Sequence, residues 1–298
     1  MLGLGVGFYK LAGNDYLEVS DWPGAEGFLN LDGSDDFGSL SLTSTIREQL
    51  SGSADTTDDI QNNITISMWV KPTWTFDPSG ANFIGFFVLG DDTNVHEGIR
   101  LYHSLELGNG TFTNRLTAEA RSATGGNKKQ TDYAVLNSGN ASISGCGTGT
   151  TDNDMWDVDN EGNLTGDGFV NLVWTRGTGT ANWKIYWNGS ALTMSDSGAD
   201  SLSTDESTYD VIEIGKFSHA SNFHQYGIRD LAIFNAELNS SQVTELYNSG
   251  DFFDVRTAST VDDLVFYCPL NDTGIELING NDLTITGGTF TAISGGGG

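Results

Sequence analysis

Residues Ile212–Gly250 constrain the fold more than any other part of the sequence, because they set a fixed order of short elements. They read IEIGKFSHASNFHQYGIRDLAIFNAELNSSQVTELYNSG. Two runs, Asp210–Gly215 and Gly227–Asn235, have the apolar and β-branched content of strands. One helix follows, with Asn239 as its N-cap and Gln242 completing a capping box. This order predicts a short helix that closes one end of a β-sandwich.

The rest of the chain is patterned for short strands separated by turns. In Ile64–Pro72, residues at every second position are apolar, which predicts one buried face with Trp69 on the other face. Two polar regions predict loops: Ser44–Asn63, with a short irregular turn, and the longer Ser138–Asp167. Many short strands and one helix in 298 residues predict an all-β fold, a sandwich or jelly roll. The other predicted strands are Phe28–Leu31 and Leu40–Leu42, Phe83–Leu89, Gly98–Tyr102, Leu116–Ala120, the hairpin Phe169–Arg176 with Trp183–Trp187, Leu264–Asp272, and one or two strands in residues 281–293.

Five segments, in chain order, resemble the laminin-G-like, concanavalin-A-like jelly roll. They are LDGSDDF, ITISMWVKP, FVNLVWTRGTGTANWKIYWNG, IEIG and GIRDLAIFNAELNSSQVTELYNSG. The hairpin with Trp183, Tyr186, Asn188 and Gly189 and the strand–helix ending are the most specific parts. The resemblance covers roughly Phe28–Gly250 and is weak as a guide to function. It implies an extended N-terminal arm (1–24), a jelly-roll domain (25–250), and C-terminal strands (251–298) that complete or flank the sandwich and end in a flexible glycine tail.

The chain layout also resembles virion proteins of marine bacteriophages, in its terminal arm, its acidity, its Gly-rich ends and the lack of a signal-peptide pattern. This resemblance implies a non-enzymatic structural or decoration protein of the virion, placed on a capsid, tail or fibre. Its partners would be other virion proteins, with host-surface glycans as an added target. Copies at symmetric positions would form a homo-oligomer.

The first residues predict an arm that binds a neighbouring subunit. The segment is apolar and rich in glycine, is too short to span a membrane, and lacks the early positive charge of a signal peptide. An extended segment of this kind adds strand or groove contacts to another subunit. The arm residues are Met1, Leu2, Leu4, Val6, Phe8, Tyr9 and Leu11.

The charge balance excludes one class of partner and favours another. With 13 basic and 40 acidic residues, the net charge is −27. Nucleic-acid affinity comes largely from Lys and Arg at phosphates, so we expect no nucleic-acid partner, and anionic membranes are disfavoured too. A surface this acidic favours solubility and cation binding.

The sequence lacks the patterns of catalysis. β-Glucan-cleaving enzymes of this fold carry a Glu-x-Asp-x-x-Glu strand, whereas Glu97, Glu106, Glu119, Glu213 and Glu237 stand alone. Gly-x-Ser-x-Gly is absent, and the four His residues lack zinc-protease spacing. We therefore predict that the protein is not an enzyme, with a glycoside hydrolase as the third alternative.

One acidic loop has the spacing of a calcium site. From Asp157 the chain reads Asp-x-Asp-x-Glu-Gly, as at the start of a calcium loop, but Gly168 stands where the bidentate Glu belongs. Calcium binding and a solvated acidic loop both stay open. The predicted Ca²⁺ ligands are Asp157, Asp159, Glu161, Asn163 and Thr165. A second group, Asp32, Asp35 and Asp36, would either hold a cation at the sandwich rim or form a plain Asp-Gly turn.

The tryptophans and cysteines allow predictions about exposure and about disulfide bonding. Trp74, Trp156 and Trp187 are expected to be exposed and to stack on sugar rings, while Trp69 and Trp174 are expected in the core. With calcium, such a surface gives the main alternative function, a calcium-assisted carbohydrate-binding module of a secreted or surface protein. Cys146 and Cys268 are expected as two unpaired thiols, with a disulfide between them left open.

Overall fold

The strands of this computed structural model form two antiparallel eight-stranded sheets. The structure describes residues 27–51, 63–72, 82–90, 98–108, 111–121, 129–136, 169–177, 183–199, 209–216 and 223–293. The predicted arm and glycine tail lie outside these residues. The predicted all-β jelly-roll sandwich is confirmed, since the chain passes repeatedly from one sheet to the other.

Sheet I holds the first and the last strand of the described part of the chain, β1 and β16. Its order is β10-β9-β8-β3-β13-β1-β16, and β14 also pairs with β13. Its strands are β1 (Gly27–Asp32), β3 (Ile64–Pro72), β8 (Val170–Arg176), β9 (Lys184–Trp187), β10 (Ser190–Ala191), β13 (Gln225–Phe234), β14 (Leu264–Cys268) and β16 (Thr289–Ala292).

Sheet II packs against it and contains the longest strands. Its order is β11-β7-β6-β5-β4-β12-β2-β15. Its strands are β2 (Phe37–Ser41), β4 (Asn82–Gly90), β5 (Gly98–Gly108), β6 (Thr111–Arg121), β7 (Lys129–Val135), β11 (Met194–Ala199), β12 (Val211–Ile214) and β15 (Thr284–Thr286).

The main core lies between the sheets and follows the period of two along each strand. On β3, the apolar residues at even positions from Ile64 to Val70 enter this core. Trp69 points to the other face, where it joins a separate cluster with Phe28 and Phe169. The predicted division of this strand is confirmed, and Trp174 is in the main core as predicted.

The outer face of sheet I is covered by the one helix that the sequence predicted. In α2 (Ser240–Tyr247), the side chain of Asn239 accepts hydrogen bonds from the N–H groups of Ser241 and Gln242, and Gln242 Oε1 accepts from Asn239 N–H, so the capping box is confirmed. Val243 belongs to a cluster that includes residues of β13 and β14. Three single-turn 3₁₀ helices extend this cover, at Asn248–Gly250, Val255–Thr257 and Val261–Asp263.

The prediction of a single short helix is wrong, because Ser44–Ser51 forms a second one, α1. Its only strongly apolar positions are Ile46 and Leu50, four residues apart, and both are buried against the main core. This spacing places them on one helical face. The Ser-, Thr- and charge-rich residues around them have the composition of a loop, which conceals the helix in the sequence.

The C-terminal strands belong to both sheets. β14 pairs with β13 and β16 with β1 in sheet I, whereas β15 pairs with β2 in sheet II. Cys268 lies in the main core, and burial raises the pKa of its thiol, while Cys146 is outside the described residues. In the described part of the chain, no helix has the length and apolar character needed to cross a membrane.

Candidate functional site

The outer face of sheet II carries charged residues in one row across the strands. The register places Glu119 on β6 beside Arg100 on β5, Arg100 beside Val88 on β4, and Val88 beside Glu213 on β12. These side chains alternate with core residues, so they point away from the core. The outer face of sheet I packs against α2 and apolar clusters, whereas the centre of this face holds Arg100, Glu119 and Glu213, each no more than 8% exposed.

Beside that row lies a group of aromatic and basic side chains. The guanidinium carbon of Arg115 lies 4.4 Å from the centre of the Tyr133 ring, a cation–π contact. The Tyr102 hydroxyl lies 3.5 Å from Glu119 Oε2. Tyr102, Arg115 and Tyr133 are all half-buried, so each keeps part of its surface in solvent.

At the opposite end of the same face, a second group forms what we name the aromatic corner: Phe37, Phe83, Glu213, Lys216, Phe223 and His224. Lys216 Nζ lies 3.1 Å from Glu213 Oε1 and 4.7 Å from the centre of the Phe37 ring. The Phe37 and Phe223 ring centres are 5.9 Å apart. An ammonium group is thus held between a buried carboxylate and a ring face.

Phe83 provides the exposed part of the aromatic corner. Phe83 is 40% exposed, one of three large apolar residues that the described part of the chain exposes. The ring of the buried His224 lies 5.8 Å from it, and His224 N–H donates a hydrogen bond to Gly215 O. Burial lowers the pKa of His224 to about 4, so this side chain is neutral at pH 7. The corner therefore combines one accessible ring, one cation and one buried carboxylate.

In the sequence Glu213 stands alone as an acid, so the aromatic corner was not predicted. One signal was present: Glu213 stands between Ile212 and Ile214, which are both in the core, so it must point outward. The other residues of the aromatic corner come from β2, from β4 and from the chain between β12 and β13. Only the strand register brings these distant parts of the chain together.

The three acids at the β1–β2 turn lie close together. One carboxylate oxygen from each of Asp32, Asp35 and Asp36 lies within 4.8 Å of the others. Asp36 Oδ2 accepts a 2.8 Å hydrogen bond from Asp32 N–H, and Asp32 Oδ1 accepts a 2.7 Å bond from Ser34 N–H. Oxygen donors of this kind suit Ca²⁺, but these bonds also explain the position of Asp32 and Asp36 as parts of a tight turn.

Of the predicted sugar-stacking residues, the described part of the chain contains only Trp187, and the expectation that it is exposed is wrong. Trp187 and Ile185, two residues apart on β9, both face the main core, and Trp187 is fully buried there. Its ring is therefore not a surface platform. Trp74 and Trp156 lie outside the described residues, as do the predicted calcium ligands Asp157, Asp159, Glu161, Asn163 and Thr165 and the arm residues of 1–11.

Comparisons with known proteins find solved structures with a similar fold, but they do not assign the chain to a family. No protein-family model matches the sequence, and a search of curated proteins gave no match. Among solved structures, the chain is similar to a native heptameric SAP-like pentraxin from Limulus polyphemus, at 9% identity and a TM-score of 0.48, over 90% of this chain and 96% of that one.

Two further solved structures show similarity of the same order. One is a putative carbohydrate binding protein from Bacteroides ovatus, at 12% identity and a TM-score of 0.47, over 94% of this chain and 67% of that one. The other is the CBM40 of a Ruminococcus gnavus IT-sialidase, at 13% identity and a TM-score of 0.44, over 75% of this chain and 97% of that one. Because these TM-scores are all below 0.5, we draw no conclusion from them about ligands.

Proposed function

We propose that this protein is a non-enzymatic recognition domain of a bacteriophage virion that binds carbohydrate on the outer face of sheet II. The observation that carries the carbohydrate part is the aromatic corner, where the partly exposed Phe83 ring lies 5.8 Å from the His224 ring and Lys216 pairs with Glu213 on the same face. An aromatic ring face complements the apolar face of a sugar ring, and a charged pair beside it exchanges hydrogen bonds with hydroxyl groups. The virion part of the proposal rests on the resemblance of this acidic chain, Gly-rich near both ends, to bacteriophage virion proteins.

The width of this face favours an extended ligand over a single sugar. Phe37 on β2 and Tyr133 on β7 are separated by five strand spacings, which amounts to about 24 Å at roughly 4.8 Å per spacing. A cation lies over each ring: Lys216 over Phe37 at one end of the face, and Arg115 over Tyr133 at the other end. An oligosaccharide chain would span both groups.

The placement of the buried carboxylates on this face argues against glycoside hydrolysis. Glu119 and Glu213 are three strand spacings apart, about 14 Å. Retaining glycosidases hold their two carboxyl groups about 5 Å apart and inverting ones no more than about 9.5 Å apart. These two acids therefore do not form a catalytic pair.

The experiment is a glycan array, followed by calorimetric titration of any glycan that binds. We expect Phe83→Ala and Lys216→Ala to reduce affinity by roughly tenfold or more, since each removes a central contact. Phe290→Ala is the matched control, because Phe290 is 36% exposed but lies on β16 of sheet I. Equal loss in all three variants, or no glycan binding by the wild-type protein, would contradict the proposal.

The virion assignment has a separate test. Mass spectrometry of purified phage particles should detect this chain among the structural proteins, and its absence would refute that part. Glycan binding by the isolated protein is independent of this result, so the two parts fail separately.

A second candidate function is a calcium-assisted carbohydrate-binding module, favoured by the grouping of Asp32, Asp35 and Asp36. It predicts that chelation abolishes glycan binding and that Asp35→Asn reproduces the loss. Glycan binding that is unchanged by chelator supports the first proposal over this one.

A further inference from the structure

The outer strands of the two sheets are protected to different extents, and this difference identifies one docking edge. An unprotected edge strand offers a row of unpaired N–H and C=O groups to any extended segment. β10 has only two residues, and the pairing of β11 with β7 shifts register between Asp196 and Ala199. Short strands and bulges are poor templates for strand addition.

The edge of β14 is closed by the loop that follows it. Tyr267 N–H donates a 3.0 Å hydrogen bond to Glu276 Oε1, and Tyr267 O accepts a 2.8 Å bond from Leu277 N–H. Asn279 Nδ2 donates a 2.9 Å bond to Val265 O. The backbone groups on this side of β14 are therefore used within the chain.

The edge of β15 is shielded by the same loop. Leu283 N–H, just before the strand, donates a 2.9 Å hydrogen bond to Gly274 O. The approach is so close that a Cβ on Gly274 would lie 2.2 Å from Leu283 O and 3.1 Å from the Ile285 side chain. This three-residue strand has little room for another strand beside it.

β16 differs from these strands. It pairs with β1 on one side, in a register that places Ala292 beside Gly27, and no hydrogen bond from the described residues reaches its other edge. All four residues, Thr289–Ala292, are exposed. They include β-formers, Phe290 among them, and neither proline nor a charged residue interrupts them. β16 is thus the open edge of sheet I within the described part of the chain.

We propose that the open edge of β16 binds residues 1–11 of a second copy of this chain as an added strand. In this segment Leu2, Leu4, Val6 and Phe8 alternate with Gly3, Gly5 and Gly7, the period of a strand with one apolar face. Main-chain hydrogen bonds would supply affinity, and the apolar side chains would supply specificity. The resulting oligomer contains one added strand for each acceptor edge.

The length of the connecting chain allows the segment to reach a second copy. Residues 1–11 carry one charged side chain, Lys10, whereas the whole chain has a net charge of −27. Residues 12–26, which join the segment to β1, carry four acids and no base. Fully extended, this connection spans about 50 Å, enough to reach a neighbouring molecule.

The test compares the full chain with a variant lacking residues 1–11, by light scattering coupled to size exclusion. We expect the full chain to form oligomers and the shortened chain to be monomeric with an unchanged circular dichroism spectrum. A full chain that stays monomeric at all concentrations overturns the proposal, and so does a shortened chain that still forms the same oligomer.

A peptide of residues 1–11 then locates the acceptor. Added to the shortened chain, it should slow amide hydrogen exchange in β16 and leave β15 unchanged, and a scrambled peptide of the same composition should do neither. Protection elsewhere, or none, overturns the assignment of the edge. The shortened chain should still bind glycan and Phe83→Ala should still oligomerise, so this inference and the proposed function are separable.

Discussion

The carboxylate of Asp132 accepts a 2.9 Å hydrogen bond from the backbone N–H of Trp183, and this bond joins the two sheets. Asp132 lies on β7 of sheet II, opposite Ala118, and faces the core, while Trp183 immediately precedes β9 of sheet I. Both residues are fully buried. A buried acid that bonds across the sandwich holds the end of β9 against sheet II.

Replacing Asp132 should therefore weaken the fold. Asp132→Ala leaves the Trp183 N–H buried without its acceptor, and we expect a loss of about 2–3 kcal/mol in the free energy of unfolding. Asp132→Asn retains one oxygen acceptor and should lose less. The measurement is urea denaturation followed by tryptophan fluorescence.

The matched control is Asp262→Ala, because Asp262 is exposed and such surface changes stay within about 0.5 kcal/mol. Equal stability of Asp132→Ala and Asp262→Ala would show that the bond to Trp183 contributes nothing measurable.

Tyr226 joins the sheets at a second point. From β13 its hydroxyl donates a 2.9 Å bond to Phe86 O and accepts a 2.7 Å bond from Gly215 N–H. Tyr226→Phe leaves both backbone groups without this partner, and we expect a loss of about 2 kcal/mol, measured by urea denaturation.

Tyr247→Phe serves as its control, since Tyr247 is half-buried and its hydroxyl makes no hydrogen bond within the described residues. If the two Tyr→Phe variants unfold at the same urea concentration, the Tyr226 hydroxyl does not stabilise the sandwich.

Strands could be predicted from the sequence where core-facing positions are all apolar. They could not be predicted where a polar residue faces the core. β3 shows the first case, because its even positions are all apolar. β7 shows the second: its core-facing residues include Asp132, so its sequence KQTDYAV does not have the pattern of a half-buried strand. The carboxylate is stabilised there by a donor that Trp183, distant in sequence, supplies.

The candidate site was less predictable than the fold, for a related reason. The outward position of Glu213 follows from its two flanking isoleucines, but its contact with Lys216 and the approach of Phe37 depend on the turn after β12 and on the β2–β12 register. Trp187 shows the opposite error. An aromatic residue beside an Asn-Gly turn has the sequence context of an exposed residue, yet its strand alternation places it in the core.

Glu276 organises the loop that closes the edge of β14. Although burial raises the pKa of its carboxyl, the group accepts backbone hydrogen bonds from Tyr267, Ile278, Asn279 and Asn281. Glu276→Gln replaces one acceptor oxygen by a donor that faces N–H groups, so we expect a loss of about 2–3 kcal/mol. Hydrogen exchange should show faster exchange at these four amides.

The control for this change is Glu237→Gln. Glu237 forms a 2.6 Å ion pair with Lys184 at the surface, where such pairs contribute no more than about 1 kcal/mol. A Glu276→Gln variant as stable as Glu237→Gln, with unchanged exchange in the loop, would contradict the role of Glu276.

His224 makes stability depend on pH. Burial lowers its pKa from 6.5 to about 4 in the folded state. Above pH 6.5 the His224 side chain is neutral in both the folded and the unfolded state, so it does not change the free energy of unfolding. As the pH falls from 6.5 to about 4, the unfolded state binds a proton that the folded state does not, and stability decreases by at most about 3 kcal/mol.

The prediction is tested by urea denaturation of the wild-type protein and His224→Gln at pH 7.5 and pH 4.5. Burial also lowers the pKa of His103, but that residue is present in both proteins, so its contribution cancels in the comparison. The wild-type protein should lose more stability than the variant between the two pH values, because Gln has no proton to bind. An equal loss in the two proteins would mean that His224 accepts its proton while folded, which is incompatible with its buried position beside Phe83.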